Sequence, residues 1–308
     1  MVTYYKNQSG LTHAQNREEA NWISVVCPTA KEKDFLLNDL KIPEAFYNDI
    51  EDIDERPRIE TEDGWHIIII RIPYKSNDVR LPYTTVPLGL VFKDDVFVSI
   101  SFAETELTND FIAFTQRKQI EVQGHFDLVL RLLLSSSIWF QKYLKQINQL
   151  IKLAENNLEK SIRNEDLQAL LQIEKCLVFF ITSLKGNEML FYRLRNLKTQ
   201  KELYDADLVE DVEIELRQAQ DTTNIYSDIL TGTMDAYASV ISNNLNVIMK
   251  RLTSISIILM IPTLVASFYG MNVPNSLQEN HNGFYIIALV SFIISAAGVI
   301  MFKKKNLF

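Results

Sequence analysis

The clearest chemical pattern in this sequence is a row of small and polar residues within an apolar segment. Steps of four and three from Ser242 reach hydroxyl, amide, thioether or glycine positions each time, namely Asn246, Met249, Thr253, Ser256, Met260, Thr263, Ser267 and Gly270. A 3.5-residue period keeps such side chains on one side of a helix. Because neutral oxygen atoms suit hard cations and their bound water, the row predicts a polar path along an apolar helix.

Two interpretations of this polar stripe stay open on the residues alone. Small residues with Ser and Thr also line tightly packed helix pairs in membranes. Alternatively the stripe lines a pore, with Met249 and Leu252 as an apolar constriction near one mouth. Because two helices cannot enclose a path for ions, the second interpretation requires a ring of copies of the chain.

The stripe belongs to the first of two predicted membrane spans. Residues 252–270 and 284–302 are each close to the roughly 20 apolar residues that cross a hydrocarbon core. Lys250 and Arg251 precede the first span, three lysines begin at Lys303 after the second, and the segment 271–283 has neither Lys nor Arg. The positive-inside rule therefore predicts cytoplasmic ends and an outer loop at 271–283. We assign residues 251–308 to a transmembrane pore domain.

The sequence before the two spans predicts a cytoplasmic part that consists of two regions with different hydrophobic patterns. Residues 1–125 form an α/β domain, with strands at 22–26, 66–73, 86–92 and 96–102 and helices at 31–40 and 43–53. Residues 126–250 have helical spacing throughout, with a break near 164–166 and a last helix that continues into the membrane. The formal net charge of -8, without a basic stripe, argues against nucleic acid as a partner. The first residues lack the apolar run of a signal peptide.

Several motifs together resemble the CorA family of magnesium transporters. Tyr269-Gly270-Met271-Asn272 follows the first of two terminal spans, which is the position of that family's GMN motif. The segments 235–237 and 242–250 are similar to the junction between the family's stalk and pore. Trp22-Ile23-Ser24 and the run Arg56-Pro57-Arg58 resemble its soluble domain.

This resemblance implies a fold and a set of sites. The fold is an α+β membrane protein: an N-terminal α/β/α cytoplasmic domain, a long helical stalk and two C-terminal transmembrane helices, assembled as a funnel-shaped homopentamer. The implied selectivity filter is Gly270, Met271 and Asn272. Asp49 and Asp211 match regulatory divalent sites between neighbouring subunits, although Asn48 stands where relatives often place a second acid. The implied pore-lining residues are Asn246, Met249, Leu252, Thr253, Ser256, Met260 and Thr263.

The resemblance also implies passive uptake of Mg2+, with Co2+ and Ni2+ as further candidates, through the plasma membrane. Mg2+ would be both the transported ion and the regulatory ion. The partners would be membrane lipid and other copies of the chain. A sister alternative is a zinc transporter of the ZntB type, although four scattered histidines and two cysteines offer few soft ligands. A membrane-anchored oligomeric sensor or scaffold is the alternative from another class. No catalytic constellation stands out, so we do not expect an enzyme.

Overall fold

The computed structural model describes residues 1–160, 163–196, 205–271 and 281–304. The chain divides into two compact units, Met1–Gly232 and Thr233–Phe308.

The first unit is built on a seven-stranded mixed sheet. The strands are β1 Val2–Asn7, β2 Leu11–His13, β3 Trp22–Val26, β4 Arg58–Glu62, β5 Trp65–Lys75, β6 Tyr83–Lys93 and β7 Val96–Ser101. Their order is β2-β1-β3-β7-β6-β5-β4. Among these strands only β3 and β7 pair in parallel, whereas β4 to β7 form an antiparallel meander.

One face of the sheet is covered by two short helices, α1 Ala30–Asp34, extended by a π-helical turn at Phe35–Asp39, and α2 Glu44–Glu51. Ile67 and Ile69 of β5 point into this core. Gly89 lets α2 approach β6 closely, because a Cβ there would lie 2.2 Å from Ile50 Cδ1. The sheet thus holds α2, which carries Asp49, in a fixed position.

The opposite face carries the longer helices α4 His125–Lys160 and α5 Asn164–Arg195, which contact β5 and β6. Ile68 and Ile70 alternate with Ile67 and Ile69, and all four are fully buried. The apolar run at 66–73 therefore marks a strand covered on both faces, as predicted. A shorter helix, α3 Glu106–Lys118, packs near β2, where Phe111 meets Trp22 edge to face.

The helices of the second half follow the predicted pattern. Helix α6 runs as one element over Ala206–Tyr269, and α7 spans Gly283–Lys304. Leu208, Val212, Leu216 and Ala219 of α6 are buried within the first unit. Strands β1, β2 and β4 and helix α3 were not predicted, whereas the strands at 22–26, 66–73 and the hairpin around Asp94 are confirmed.

Three helices in the described part of the chain are long and apolar enough to cross a membrane: α5, α6 and α7. In helix α5, 39% of the most apolar window is buried, with Leu177, Phe180 and Leu184 in the first unit's own core. In α6 and α7 the most apolar windows are only 6% buried. The two predicted spans are therefore the helices whose apolar surface the chain itself leaves uncovered.

Candidate functional site

The polar stripe lies on a continuous helix in the second unit. Asn246, Met249, Thr253, Ser256 and Met260 are all exposed on α6. The same holds for Leu252 and Thr263. The structure therefore places the predicted pore-lining residues together on one uncovered surface.

The hydroxyl groups of the stripe have a defined orientation. Ser256 Oγ donates to the Leu252 carbonyl at 2.9 Å, and Thr263 Oγ1 donates to the Leu259 carbonyl at 3.2 Å. Each hydroxyl proton is thus used within the helix, while the oxygen lone pairs remain available. The stripe consequently presents hydrogen-bond acceptors, which suits the protons of water bound to a cation.

The other side of the same helix faces α7. Ser254, Ile258, Ile261 and Val265 are its less exposed residues, and a Cβ added at Gly298 of α7 would lie 3.6 Å from Ile261 Cδ1. On a helix wheel this seam lies largely opposite the polar stripe. Within the described part of the second unit, α7 therefore leaves the stripe uncovered.

Pro262 lies inside helix α6. Because proline has no amide proton, the Ile258 carbonyl lacks its usual helical hydrogen bond, and the helix can bend at this position.

The predicted filter lies at the end of α6. The Gly270 amide donates to the Ala266 carbonyl at 2.9 Å, the last hydrogen bond of this helix. Met271 follows as an exposed residue. Asn272 lies outside the described residues.

The carboxylate of the predicted regulatory residue Asp49 is paired with the guanidinium of Arg58. Arg58 Nη2 donates to Asp49 Oδ2 at 2.6 Å, Arg58 Nη1 bonds Glu55, and Arg58 Nε lies 3.0 Å from Glu60 Oε1. Burial lowers the pKa of the Arg58 guanidinium, but the hydrogen bond to Glu55 and the three negative charges outweigh burial and raise that pKa above its ordinary value. One guanidinium therefore neutralises part of a three-carboxylate cluster.

Asp211 is the other predicted regulatory residue, and it lies exposed near the start of α6. In the described residues, no group of three or more His, Cys, Asp or Glu is arranged to hold a metal ion. Neither Asp49 nor Asp211 therefore belongs to a metal-binding cluster within the described part of this chain.

A buried network that sequence reasoning missed positions the loop beside Asp49. The Arg71 guanidinium, 7% exposed, donates to the carbonyls of Ile53, Glu55 and Thr85. Burial lowers the pKa of Arg71, and the charges of Asp54, Asp52 and Glu55 partly offset that effect. The sequence contained one indication of this network, because Arg71 is the one charged residue within the apolar run 66–73.

The same residue is anchored through its backbone by α5. The Arg71 amide donates to Asn187 Oδ1 at 2.9 Å, and Asn187 Nδ2 donates to the Arg71 carbonyl at 2.7 Å. Asn187 is fully buried. Its carboxamide therefore replaces a neighbouring strand at this point of β5, and α5 is fixed to the loop that carries Glu55.

Comparisons with known proteins agree with this architecture. A family model described as CorA-like Mg2+ transporter protein matches residues 17–305. The cobalt/magnesium transport protein CorA of Methanocaldococcus jannaschii is 25% identical over 262 residues, covering 83% of this chain and 81% of that protein. The complete structure of the CorA magnesium transporter from the same organism superposes with a TM-score of 0.84 at 21% identity, covering 100% of this chain and 99% of the other.

A more distant likeness bears on the zinc alternative. The ZntB cytoplasmic domain from Vibrio parahaemolyticus superposes with a TM-score of 0.58 at 11% identity, covering 79% of this chain and 97% of that domain. The fold predicted from the sequence, an α/β domain followed by long helices and two apolar C-terminal helices, is confirmed by the full-length likeness. At these identities each likeness shows the fold alone, and the soluble domain of CorA from Methanocaldococcus jannaschii superposes with a TM-score of 0.64 over 76% of this chain.

Proposed function

The chain belongs to the CorA-like Mg2+ transporter family, and from that premise we propose that it forms a passive channel for hydrated Mg2+, driven by the membrane potential. The observation that carries the proposal is the polar stripe of α6, exposed along its length and turned away from α7. Co2+ and Ni2+ are further candidate ions, since a filter that acts on hydrated ions discriminates mainly by size and charge.

The chemistry of the stripe supports transport of an ion with its water. Mg2+ holds its inner water shell tightly and gives it up reluctantly. Hydroxyl oxygens such as those of Ser256 and Thr263, whose protons are bonded within the helix, can accept hydrogen bonds from those water molecules. Neutral acceptors also bind the ion weakly enough for it to leave. At the outer mouth, the carbonyl of Gly270 and the carboxamide of Asn272 would do the same as a ring.

The proposed assembly is a homopentamer in the plasma membrane. Residues 1–125 and 126–250 form its cytoplasmic part, a funnel of α/β domains and stalk helices, and residues 251–308 form the pore. Both termini are cytoplasmic and the loop 271–283 is outside in this proposal, which the positive charges that flank the two spans support. An inside-negative potential then favours entry of a divalent ion by about 4.6 kcal/mol per 100 mV. The pathway therefore needs no other energy source.

We further propose that cytosolic Mg2+ closes the channel between subunits. Segment 205–215 is dense in acids, and repulsion between copies favours an open ring. Mg2+ that bridges Asp49 of one copy and Asp211 of the next would relieve this repulsion. Because Arg58 already bonds Asp49, the ion must compete with this guanidinium for the carboxylate.

The proposed channel can be tested by measuring Mg2+ uptake into lipid vesicles that contain the purified full chain. We expect Mg2+ uptake that rises with an inside-negative potential and falls to background in Asn272→Ala. Asn282→Ala removes a carboxamide at the far end of the same loop and is the matched control. Undiminished Mg2+ uptake by Asn272→Ala would overturn the filter, and uptake of Zn2+ in place of Mg2+ would favour the zinc transporter alternative.

A further inference from the structure

Basic side chains without a nearby acid flank the two apolar helices of the second unit. Lys250 and Arg251 precede the first span on α6, Lys303 and Lys304 end α7, and all four are exposed. None of the four forms an ion pair within the described part of the chain. The nearest acid along α6 is Asp235, fifteen residues or about 22 Å before Lys250, and α7 contains no acid. These bases therefore lack a counter-charge on their own helices.

Aromatic residues mark the opposite end of each helix. Tyr269 ends α6, Phe284 and Tyr285 stand at the start of α7, and all three are exposed. Arg251 lies eighteen residues before Tyr269 and Lys303 lies nineteen residues after Phe284, so each helix rises about 27–29 Å between base and ring. The hydrocarbon core of a bilayer is about 30 Å thick, and Tyr is enriched at its boundary with water. In a bilayer, the bases therefore lie at the level of the lipid phosphates.

Three of these bases lie away from the polar stripe. Arg251 stands seven residues before Ile258, which places it on the side of α6 that faces α7. Lys303 and Lys304 follow Gly298 by five and six residues, at about 140° and 240° around α7, so they flank the side turned away from α6. We call Arg251, Lys303 and Lys304 the basic cluster. A ligand reaches this cluster from the lipid around the helix pair.

We propose that the basic cluster binds the phosphate of an anionic phospholipid in the cytoplasmic leaflet. A guanidinium binds phosphate through two parallel N–H donors, and the two ammonium groups add positive charge from the other helix. Val299 and Ile300 lie one turn before Lys303 and Lys304, at 41% and 68% exposure, and give the acyl chains an apolar surface. The proposal rests on the proposed function in one respect, since the cytoplasmic position of both helix ends belongs to it.

The charge of the cluster selects among headgroups. Phosphatidylcholine carries a cation beside its phosphate and is neutral overall, whereas phosphatidylglycerol has a net negative charge. Three bases without a nearby acid attract the second headgroup and gain little from the first. The apolar surface next to the cluster favours a lipid over a soluble phosphate, because only a lipid contacts both. Phosphatidylglycerol is therefore the probe.

Native mass spectrometry of the full chain, released from bilayers of equal phosphatidylglycerol and phosphatidylcholine, measures which lipid stays bound. We expect the retained lipid to be enriched in phosphatidylglycerol by about threefold or more, and the enrichment to shrink when the salt concentration is raised about tenfold. Retention of both lipids in the proportion of the bilayer would overturn the proposal without any variant.

Replacement of all three residues of the basic cluster by Gln should abolish the enrichment. The matched control removes three exposed bases of the first unit, by Lys31→Gln, Lys118→Gln and Lys145→Gln, and should keep it. Positive charges beside a span also guide insertion, so Lys303→Arg with Lys304→Arg keeps the charge and should retain phosphatidylglycerol like the natural chain. The same spectra report the oligomer. An assembled cluster variant that keeps the full enrichment would contradict the assignment.

Two further measurements separate the remaining alternatives. If inorganic phosphate removes the enrichment and chloride of equal ionic strength does not, the cluster binds a soluble anion and the lipid proposal is wrong. Mg2+ uptake by vesicles of the same composition distinguishes this site from the channel. Enrichment without uptake would leave the lipid site standing and remove the channel, whereas uptake without enrichment would do the reverse.

Discussion

At the scale of single residues, the guanidinium of Arg58 bears on the proposed closure of the channel by Mg2+. It bonds Asp49 at 2.6 Å, and both side chains are about three-quarters buried. At a divalent site, a resident cation raises the ion concentration needed for occupancy, because the ion must displace it. Arg58 would then set the Mg2+ threshold of the closed state.

Arg58→Gln removes this competing charge and should lower the Mg2+ concentration for half-closure by about twofold to fivefold, the size expected for a partly exposed ion pair. The measurement is current or vesicle uptake against cytosolic-side Mg2+. Arg58→Lys keeps the charge and serves as the control. If Arg58 instead orients Asp49 for the metal, Arg58→Gln would shift half-closure to higher Mg2+, which would contradict competition.

At the scale of elements, Asn187 couples α5 to β5. Its carboxamide satisfies both the amide and the carbonyl of Arg71, deep in the first unit. Buried backbone groups without partners cost free energy, so the Arg71 amide depends on Asn187, whereas the Arg71 carbonyl also accepts from Ser136 Oγ of α4 at 3.3 Å.

Asn187→Leu should reduce the free energy of unfolding by about 1–3 kcal/mol, since the buried Arg71 amide loses its partner and the Arg71 carbonyl keeps only the Ser136 hydroxyl, at 3.3 Å. Loss of helical circular dichroism in denaturant, followed on the full chain in detergent, measures the change. Lys175→Ala on the exposed side of the same helix should change it by less than about 0.5 kcal/mol. Equal stability of Asn187→Leu and the control would show that another group takes over the Arg71 backbone.

The hydrophobic periodicity of the sequence predicted most helices and strands, but it did not predict the tertiary contacts between them. The run 66–73 reads as a doubly covered strand because Ile67 to Ile70 are apolar without alternation, and the described strand agrees. Helices α4 and α6 follow from three- and four-residue spacing. By contrast, the Asn187–Arg71 contact joins residues 116 apart, and no local pattern encodes such a pair. The short strands β1, β2 and β4, of which β2 and β4 are the sheet edges, carry too few apolar residues for a periodic signal.

The candidate sites divide in the same way. The polar stripe was predictable because a helix converts spacing directly into a shared surface. The environment of Asp49 was not, since Arg58 reaches it from β4, across the turn that follows α2.

At the scale of the whole molecule, a pore and a packed helix pair place the stripe in different surroundings. Met260 and Ile255 both lie on α6 and are both exposed in the single chain, at 68% and 47%. Only Met260 belongs to the stripe, and Ile255 lies about 140° from it around the helix. In a ring whose stripes face a shared axis, Met260 lines an aqueous path and Ile255 points away from it.

Cysteine modification at these two positions distinguishes the arrangements, in a Cys27→Ser background that removes the exposed thiol and keeps the buried Cys176. A membrane-impermeant cationic thiol reagent applied to open channels should block Mg2+ uptake of Met260→Cys by about tenfold or more, because a ring of fixed positive charges repels a divalent cation in a narrow path. Ile255→Cys should keep its uptake, since its thiol lies in lipid or against a neighbouring helix, where the reagent does not reach. If the stripe were a packing seam, the thiol at position 260 would be shielded, and both variants would keep their uptake after treatment.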